Sequence, residues 1–377
     1  MNSKERMMCA LRRGKPDRLP VTIHQWQPYH LKHFMGGASD SEAFAACGLD
    51  ASLTRSPVLE KSWEPWGDPT PEWRVEYVEE EVPANSAQPG AARHRIRRYT
   101  ITTPGGVLTM VRRFTEITIW ITEHLVKRDE DVDLVARHMP VPRYDRTVLR
   151  REYNALGDAG ILRSYIPSFQ PGPWQDAIEM HGMENMIMAA LEKPDWVHHF
   201  VEAITQRRLR FIEESLKGAK LDLMEFGGGG ASCTVISPAV FEEFVLPYDA
   251  RVIRAIHDEG VPVVYHTCGG MMAILDLIPR NGCDASETLT PQSMGGDITD
   301  PSAVKRTLGA QVALIGGVDQ EHVLKRGSEE DIRRHVRDLF GAYGEGGGYI
   351  CSPSDHFFDV PVEKLKAYAL AGIECCY

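Results

Sequence analysis

Long apolar runs are missing from this 377-residue chain. Nowhere do about 18 apolar residues follow one another, the length a membrane-spanning helix needs, and no membrane partner is expected. The N-terminal MNSKERMMCALRRGKPDRLP is charged throughout and lacks the apolar core, roughly 7 to 15 residues, of a signal peptide. Long basic runs are missing as well. Lys and Arg number 42 against 53 Asp and Glu, and the net charge of -11 is spread along the chain. Nothing there would neutralise a phosphate backbone, so nucleic acid is not an expected partner. The eight cysteines, at 9, 47, 233, 268, 283, 351, 375 and 376, lack the density of a small secreted disulfide scaffold. Reduced thiols in a cytoplasm are expected. Neither repeats nor low-complexity linkers occur, which favours one domain over residues 1–377.

What is present is the composition of a globular enzyme, with 43% hydrophobic and 25% charged residues, enough to bury a large core. Eight short apolar, β-branched runs recur: 19–24, 50–55, 161–165, 221–226, 261–266, 284–288, 312–316 and 348–351. Most precede a segment with helical spacing, the pattern of repeated βα units. The expected fold is α/β, a (β/α)8 TIM barrel. Helices are expected over 174–191, 194–217, 238–259 and 329–343, the third kinked at Pro247, which cannot donate to the helical ladder. Between about 60 and 125 the chain reads as a β-rich insertion after the second strand, with RHRIRRYTITTPGGVLTMVRRF as a hairpin turned at Pro104, Gly105 and Gly106. The helical stretch Ser3 to Arg13 is expected across the outside of the barrel.

A parallel barrel places chemistry where strands run into the following loops. Those ends carry His24, Arg55, Tyr165, Glu225, His266 with Cys268, Glu287, Asp319 and Cys351. Burying so many polar groups unpaired would cost a few kcal/mol each, so a polar mouth is the simpler reading. In VVYHTCGG, His266 and Cys268 are two apart, and strand alternation aims both side chains the same way. One imidazole and one thiolate suit Zn²⁺, although the pair alone is short of the three protein ligands of a catalytic site, and its other reading is a core histidine beside an inert buried thiol. Cys351, in GGGYICSPSDHF, is the first candidate for the third ligand, its other reading being an ordinary packed strand cysteine; Asp355 and His356 are its rivals, and Glu225 could approach as a fourth ligand or an acid. FGGGGAS, from 226 to 232, is neither a dinucleotide fingerprint nor a P-loop; it is a long turn whose backbone could approach a ligand. HQWQPYH, from 24 to 30, offers His24, Trp26 and Tyr29 either as pocket walls or as packing under a loop.

At these residues the chain resembles the uroporphyrinogen decarboxylase superfamily over nearly its full length. SKERMMCALRRGKPDRLPV, VISPAVFEEFVLPY, VVYHTCGG, GCDASETL, ALIGGVDQ and GGGYICSPSDHFFDVPVEKL stand in the family's order. The resemblance implies a (β/α)8 barrel. It also divides the superfamily's activities. A true decarboxylase carries Arg-Gln-Ala-Gly-Arg near the first strand and a later Phe-Ser-Asp, and neither is present here. The HTCG segment looks like the corrinoid-linked methyltransferase branch, whose zinc site is a His-x-Cys pair plus a distant Cys. His266 and Cys268 match directly, whereas the family's Pro-Gly-Cys turn corresponds to Pro353, Ser354 and Asp355. Either the third ligand is Cys351 moved onto the strand, or Asp355 or His356 stands in its place, or zinc is absent.

The function this implies is zinc-dependent transfer of a methyl group between a small thiol or methyl ether and a corrinoid. The D-x-H-x-x-G pattern of a cobalt-ligating module is absent, so the cobalamin is expected from a partner corrinoid protein. Glu225, His266 and Tyr165 are the expected catalytic groups, and His24, Trp26, Tyr29, Asp319 and His356 the expected substrate-binding ones. Two other readings stand beside it: a metal-independent decarboxylase-like or tetrahydrofolate-linked methyltransferase, and a noncatalytic corrinoid- or tetrapyrrole-binding protein.

Overall fold

The computed structural model describes residues 1–59, 70–83, 93–168 and 170–377. Its centre is a curled parallel sheet of seven strands. These are β1 (Ala51–Thr54), β6 (Gly160–Tyr165), β7 (Leu223–Gly227), β8 (Val263–His266), β9 (Ala285–Thr288), β10 (Ala313–Val318) and β11 (Tyr349–Pro353), each hydrogen-bonded to the next in that order. Seven of the eight expected runs thus form strands. The first, 19–24, is reduced to a parallel bridge between Val21 and Cys351. Its backbone nevertheless touches both edges of the sheet: Thr22 N–H donates to the Cys351 carbonyl at 3.0 Å, and Asp50 N–H donates to the Val21 carbonyl at 2.8 Å.

Between β1 and β6 the chain leaves the parallel sheet for a four-stranded antiparallel one: β2 (Arg74–Pro83), β3 (Arg93–Thr103), β4 (Gly106–Phe114) and β5 (Ile119–Glu123). Thr103 pairs with Gly106, so the expected hairpin turns on Pro104 and Gly105. Residues 60–69 and 84–92 of the stretch read as β-rich lie outside the described residues.

Two apolar layers flank the parallel sheet, and strand alternation sorts residues between them. The larger, outer layer packs the sheet against the helices, with Phe226, Tyr265, Leu314, Tyr349 and Cys351 among its strand residues. The smaller one holds Ile161, Leu223, Val264, Ala285, Ala313, Ile315 and Ile350 together with Met7, Ala10 and Leu11 of the helix Ser3–Leu11. This corrects the expected placement of the N-terminal helix. It does not cross the outside; its apolar stripe plugs the interior at the end where the strands begin. Arg6 fixes it there, donating to Asp50 at 2.7 Å and Asp17 at 2.8 Å.

One helix boundary also differs from expectation. The run 174–191 is split at Gly182, whose φ is +100°. Over 238–259 a wide π turn at Phe241–Val245 precedes the regular helix Leu246–Asp258; Pro247 lacks the N–H that would continue the ladder.

Candidate active site

Two residues beyond the apolar plug, the inward positions turn polar. Ile161 is followed by Arg163, Leu223 by Glu225, Val264 by His266 and Ala285 by Glu287. All four polar side chains are buried, and they compensate one another. Arg163 donates to Glu225 at 2.7 Å and to both oxygens of Glu287 at 2.8 and 3.1 Å. His24 Nε2 lies 3.3 Å from each carboxylate. Burial alone would raise the pKa values of both glutamates, but Arg163 and His24 outweigh it and hold them below the usual carboxylate range. They are fixed anions at neutral pH. Burial would lower His24, and Glu225 and Glu287 raise it instead.

Above this network stands the His-x-Cys pair. His266 Nδ1 is 2.9 Å from Glu287 and its Nε2 is 2.8 Å from Cys268 Sγ. A carboxylate accepting from one imidazole nitrogen sets the tautomer and leaves the other nitrogen as a lone-pair donor, the arrangement that supports a zinc-bound histidine. Burial would lower the His266 pKa, but Cys268 and Glu287 raise it well above the ordinary value, so a metal at Nε2 would bind by displacing a proton. The pair lines a cavity of about 240 Å³ with His24, Tyr165, Glu225, Asp355 and His356. Burial, with His24 and His266 nearby, takes the His356 imidazole down to about 4; it is neutral, and its buried Nδ1 has no hydrogen-bond partner among the described residues. A soft cysteine sulfur, an oriented imidazole and a second imidazole whose Nδ1 is unpartnered among the described residues, all at one cavity, fit Zn²⁺.

By distance alone, the group of donors among the described residues that could hold an ion is His24, Glu225, His266 and Glu287, their ligand atoms lying within 4.8 Å of one another. Arg163 and His24 together already face both carboxylates, and a dication among them would meet the Arg163 guanidinium. The thiolate side of His266 is the better site.

The glycine run serves this geometry. Gly227 has φ +104°, and a Cβ there would come within 2.6 Å of the His266 carbonyl; Gly228 N–H donates to that same carbonyl at 2.9 Å. Only glycine allows both the positive φ and the close approach.

Some expected site residues lie elsewhere. Cys351 is fully buried in the outer layer, beside Tyr349 and Tyr368, and burial pushes its thiol up to about 12. Ile350 and Ser352 face inward instead, so alternation turns the strand cysteine away from the cavity. Asp319 caps the turn Gln320–Lys325, accepting from the N–H groups of Glu321 and His322 at 3.1 and 2.7 Å and from the Ser293 hydroxyl at 2.6 Å. Trp26 packs in the outer core against Phe44 and Phe357. Tyr29 lines a second cavity of about 580 Å³, with Met294, Phe357, Phe358 and His356, so His356 borders both cavities. Arg163 was absent from the sequence-derived candidates; its signal was a single cation inside the apolar run Ile161 to Tyr165.

The family model for uroporphyrinogen decarboxylase (URO-D) matches residues 162–371. The methylated-thiol–coenzyme M methyltransferase of Methanosarcina mazei is 24% identical over 200 residues, 53% of this chain and 50% of that protein. The uroporphyrinogen decarboxylase of Shewanella loihica is 27% identical over 202 residues, 50% of this chain and 53% of that protein. That of Myxococcus xanthus is 28% identical over 234 residues, 59% of this chain and 61% of that protein. The chain thus spans about half the length of the first curated relatives it matches. A solved methyltransferase from Methanosarcina mazei superposes with a TM-score of 0.67 at 16% identity, covering 99% of both chains, which is a likeness of fold. With residues 162–371 of 377 matched by the family model, the chain belongs to the uroporphyrinogen decarboxylase (URO-D) family.

Proposed function

We propose that this protein is a zinc-dependent methyltransferase that moves a methyl group between a small thiol or methyl ether and a corrinoid carried by a partner protein. The observation that carries the reading is the His266–Cys268 pair, 2.8 Å apart, with Glu287 on the far nitrogen of the imidazole. The methyltransferase name of the Methanosarcina mazei relative supports it. So does the absence of the Arg-Gln-Ala-Gly-Arg and Phe-Ser-Asp segments.

His266 and Cys268 would hold the metal, which would supply Lewis acidity, keeping a thiol as thiolate or polarising an ether oxygen. The chain's own groups do the rest. Glu287 keeps the proton on His266 Nδ1 and so directs Nε2 into the cavity. Arg163 holds Glu287 and Glu225 in position. Glu225, a fixed anion, is a poor proton donor; its part is to hold His24 at the cavity wall beside Tyr165. The larger cavity, continuous in lining through His356, would take the remainder of the substrate, and corrinoid docking would bring the cobalt to the mouth.

The test is zinc analysis of wild type and Cys268→Ala, followed by methyl transfer to a corrinoid protein read by its absorption spectrum. The expected result is about one zinc per chain, lost with Cys268, and transfer only when a corrinoid is supplied. A second reading rests on the buried Arg163–Glu225–Glu287–His24 network, which could act as a metal-independent acid/base or decarboxylating site. Full activity after exhaustive chelation would favour it and sink the zinc mechanism.

A further inference from the structure

We infer that the third protein ligand of the metal is His356, so that the site carries one thiolate and two imidazoles instead of two thiolates and one imidazole. The inference rests on the zinc reading and goes beyond it. Cys351 is excluded by the pleat: it faces Tyr349 and Tyr368 in the outer layer while its neighbours Ile350 and Ser352 face inward. The other donors around the cavity are already engaged. Glu225 accepts from Arg163 at 2.7 Å. His24 Nε2 makes no hydrogen bond among the described residues, but it sits 3.3 Å from both Glu225 and Glu287 and shares them with Arg163, so a dication there would face the guanidinium. Asp355 is exposed and accepts from the His356 N–H at 2.6 Å, which ties its carboxylate to the loop. His356 remains. Its buried Nδ1 has no hydrogen-bond partner among the described residues, its ring lies 4.8 Å from that of His24, itself 5.1 Å from the ring of His266, and it lines the same cavity as His266 and Cys268.

The ligand set has a chemical consequence. With a single thiolate, a bound dication keeps one unit of positive charge, whereas two thiolates would cancel it. The ion is then the stronger Lewis acid, which suits polarising a neutral ether oxygen in the substrate. Since His356 also borders the cavity lined by Tyr29, Phe357 and Phe358, the substrate class this favours is a methyl ether with an apolar remainder.

The ligand set is tested with Co²⁺, titrated into the zinc-free full-length protein, because sulfur-to-cobalt charge-transfer absorption counts the thiolates. In wild type a one-thiolate band is expected, abolished in Cys268→Ser and unchanged in Cys351→Ser. His356→Ala should weaken cobalt binding by more than about tenfold, a loss that removing even an outer-shell partner can bring. His356→Cys should bind cobalt with a stronger charge-transfer band, a gain that only a position in contact with the metal can give. A band that falls in Cys351→Ser, with His356→Ala and His356→Cys indistinguishable from wild type, would overturn the assignment while leaving the metal in place. Failure of wild type to bind cobalt or zinc at all would instead overturn the zinc reading on which it rests.

Discussion

Asp249 is a residue whose chemistry is set wholly by where it is buried. Its side chain is 1% exposed and accepts from the Tyr265 hydroxyl at 2.6 Å, while its other oxygen has no partner among the described residues. Burial raises its pKa to about 7, the Tyr265 hydrogen bond opposing only in part. In the unfolded chain it would ionise near about 3.9. Between those values the unfolded state holds fewer protons than the folded one, so stability falls as pH rises through the window and levels off above it. Asp249→Asn keeps an acceptor for Tyr265 and removes the cost of ionisation. Thermal or denaturant unfolding should find it close to wild type at pH 4 and more stable at pH 8 by at least about 1 kcal/mol. Equal stability differences at the two pH values would refute the assignment.

Among the elements, the N-terminal helix decides how the interior is closed. Its sequence has ordinary helical spacing and an Asn2–Glu5 capping box, neither of which says what it packs against. Asp50 does, because it joins the helix to the start of β1: it accepts from Arg6 at 2.7 Å, from Ser3 Oγ at 2.8 Å and from the Val21 N–H at 3.1 Å, and it pairs with Arg18. Asp50→Ala would strip Arg6 of its buried partner and leave it the more exposed Asp17. A loss of about 1–3 kcal/mol is expected, the usual cost of buried polar groups left without a partner, read as a lower denaturation midpoint. A change within error of zero would mean that the plug is held by Met7, Ala10 and Leu11 alone. The glycine run illustrates the same limit at the scale of a loop: its composition announces flexibility, but the specific need for glycine at 227 comes from the His266 carbonyl on the neighbouring strand.

At the scale of the whole molecule, metal and fold are coupled. A ligand that binds only the folded state stabilises it by mass action, about 2.7 kcal/mol when its concentration is a hundred times its Kd. Zinc added to the metal-free protein should therefore raise Tm by several degrees, and the rise should vanish in Cys268→Ala. An equal rise in both would place the binding elsewhere. The metal-free protein is expected to remain folded, since its two apolar layers do not include His266 or Cys268.

The sequence by itself determined the alternation of βα units, the positions of seven of the eight strands and the pairing of His266 with Cys268. All of these depend on periodicity, which acts over a few residues and is written locally. The antiparallel excursion between β1 and β6 was readable for the same reason. Only the tertiary structure decided which side of each strand faces the interior, since alternation assigns residues to two faces without saying which face is which. That choice moved Cys351 to the outer layer and brought Arg163 into the centre. It also decided that Asp319 caps a turn and that His356, from a loop with no regular pattern, lines the same cavity as His266 and Cys268. Contacts between residues far apart in the chain leave no local period, so the partners of His266 could be read only after the sheet had curled around them.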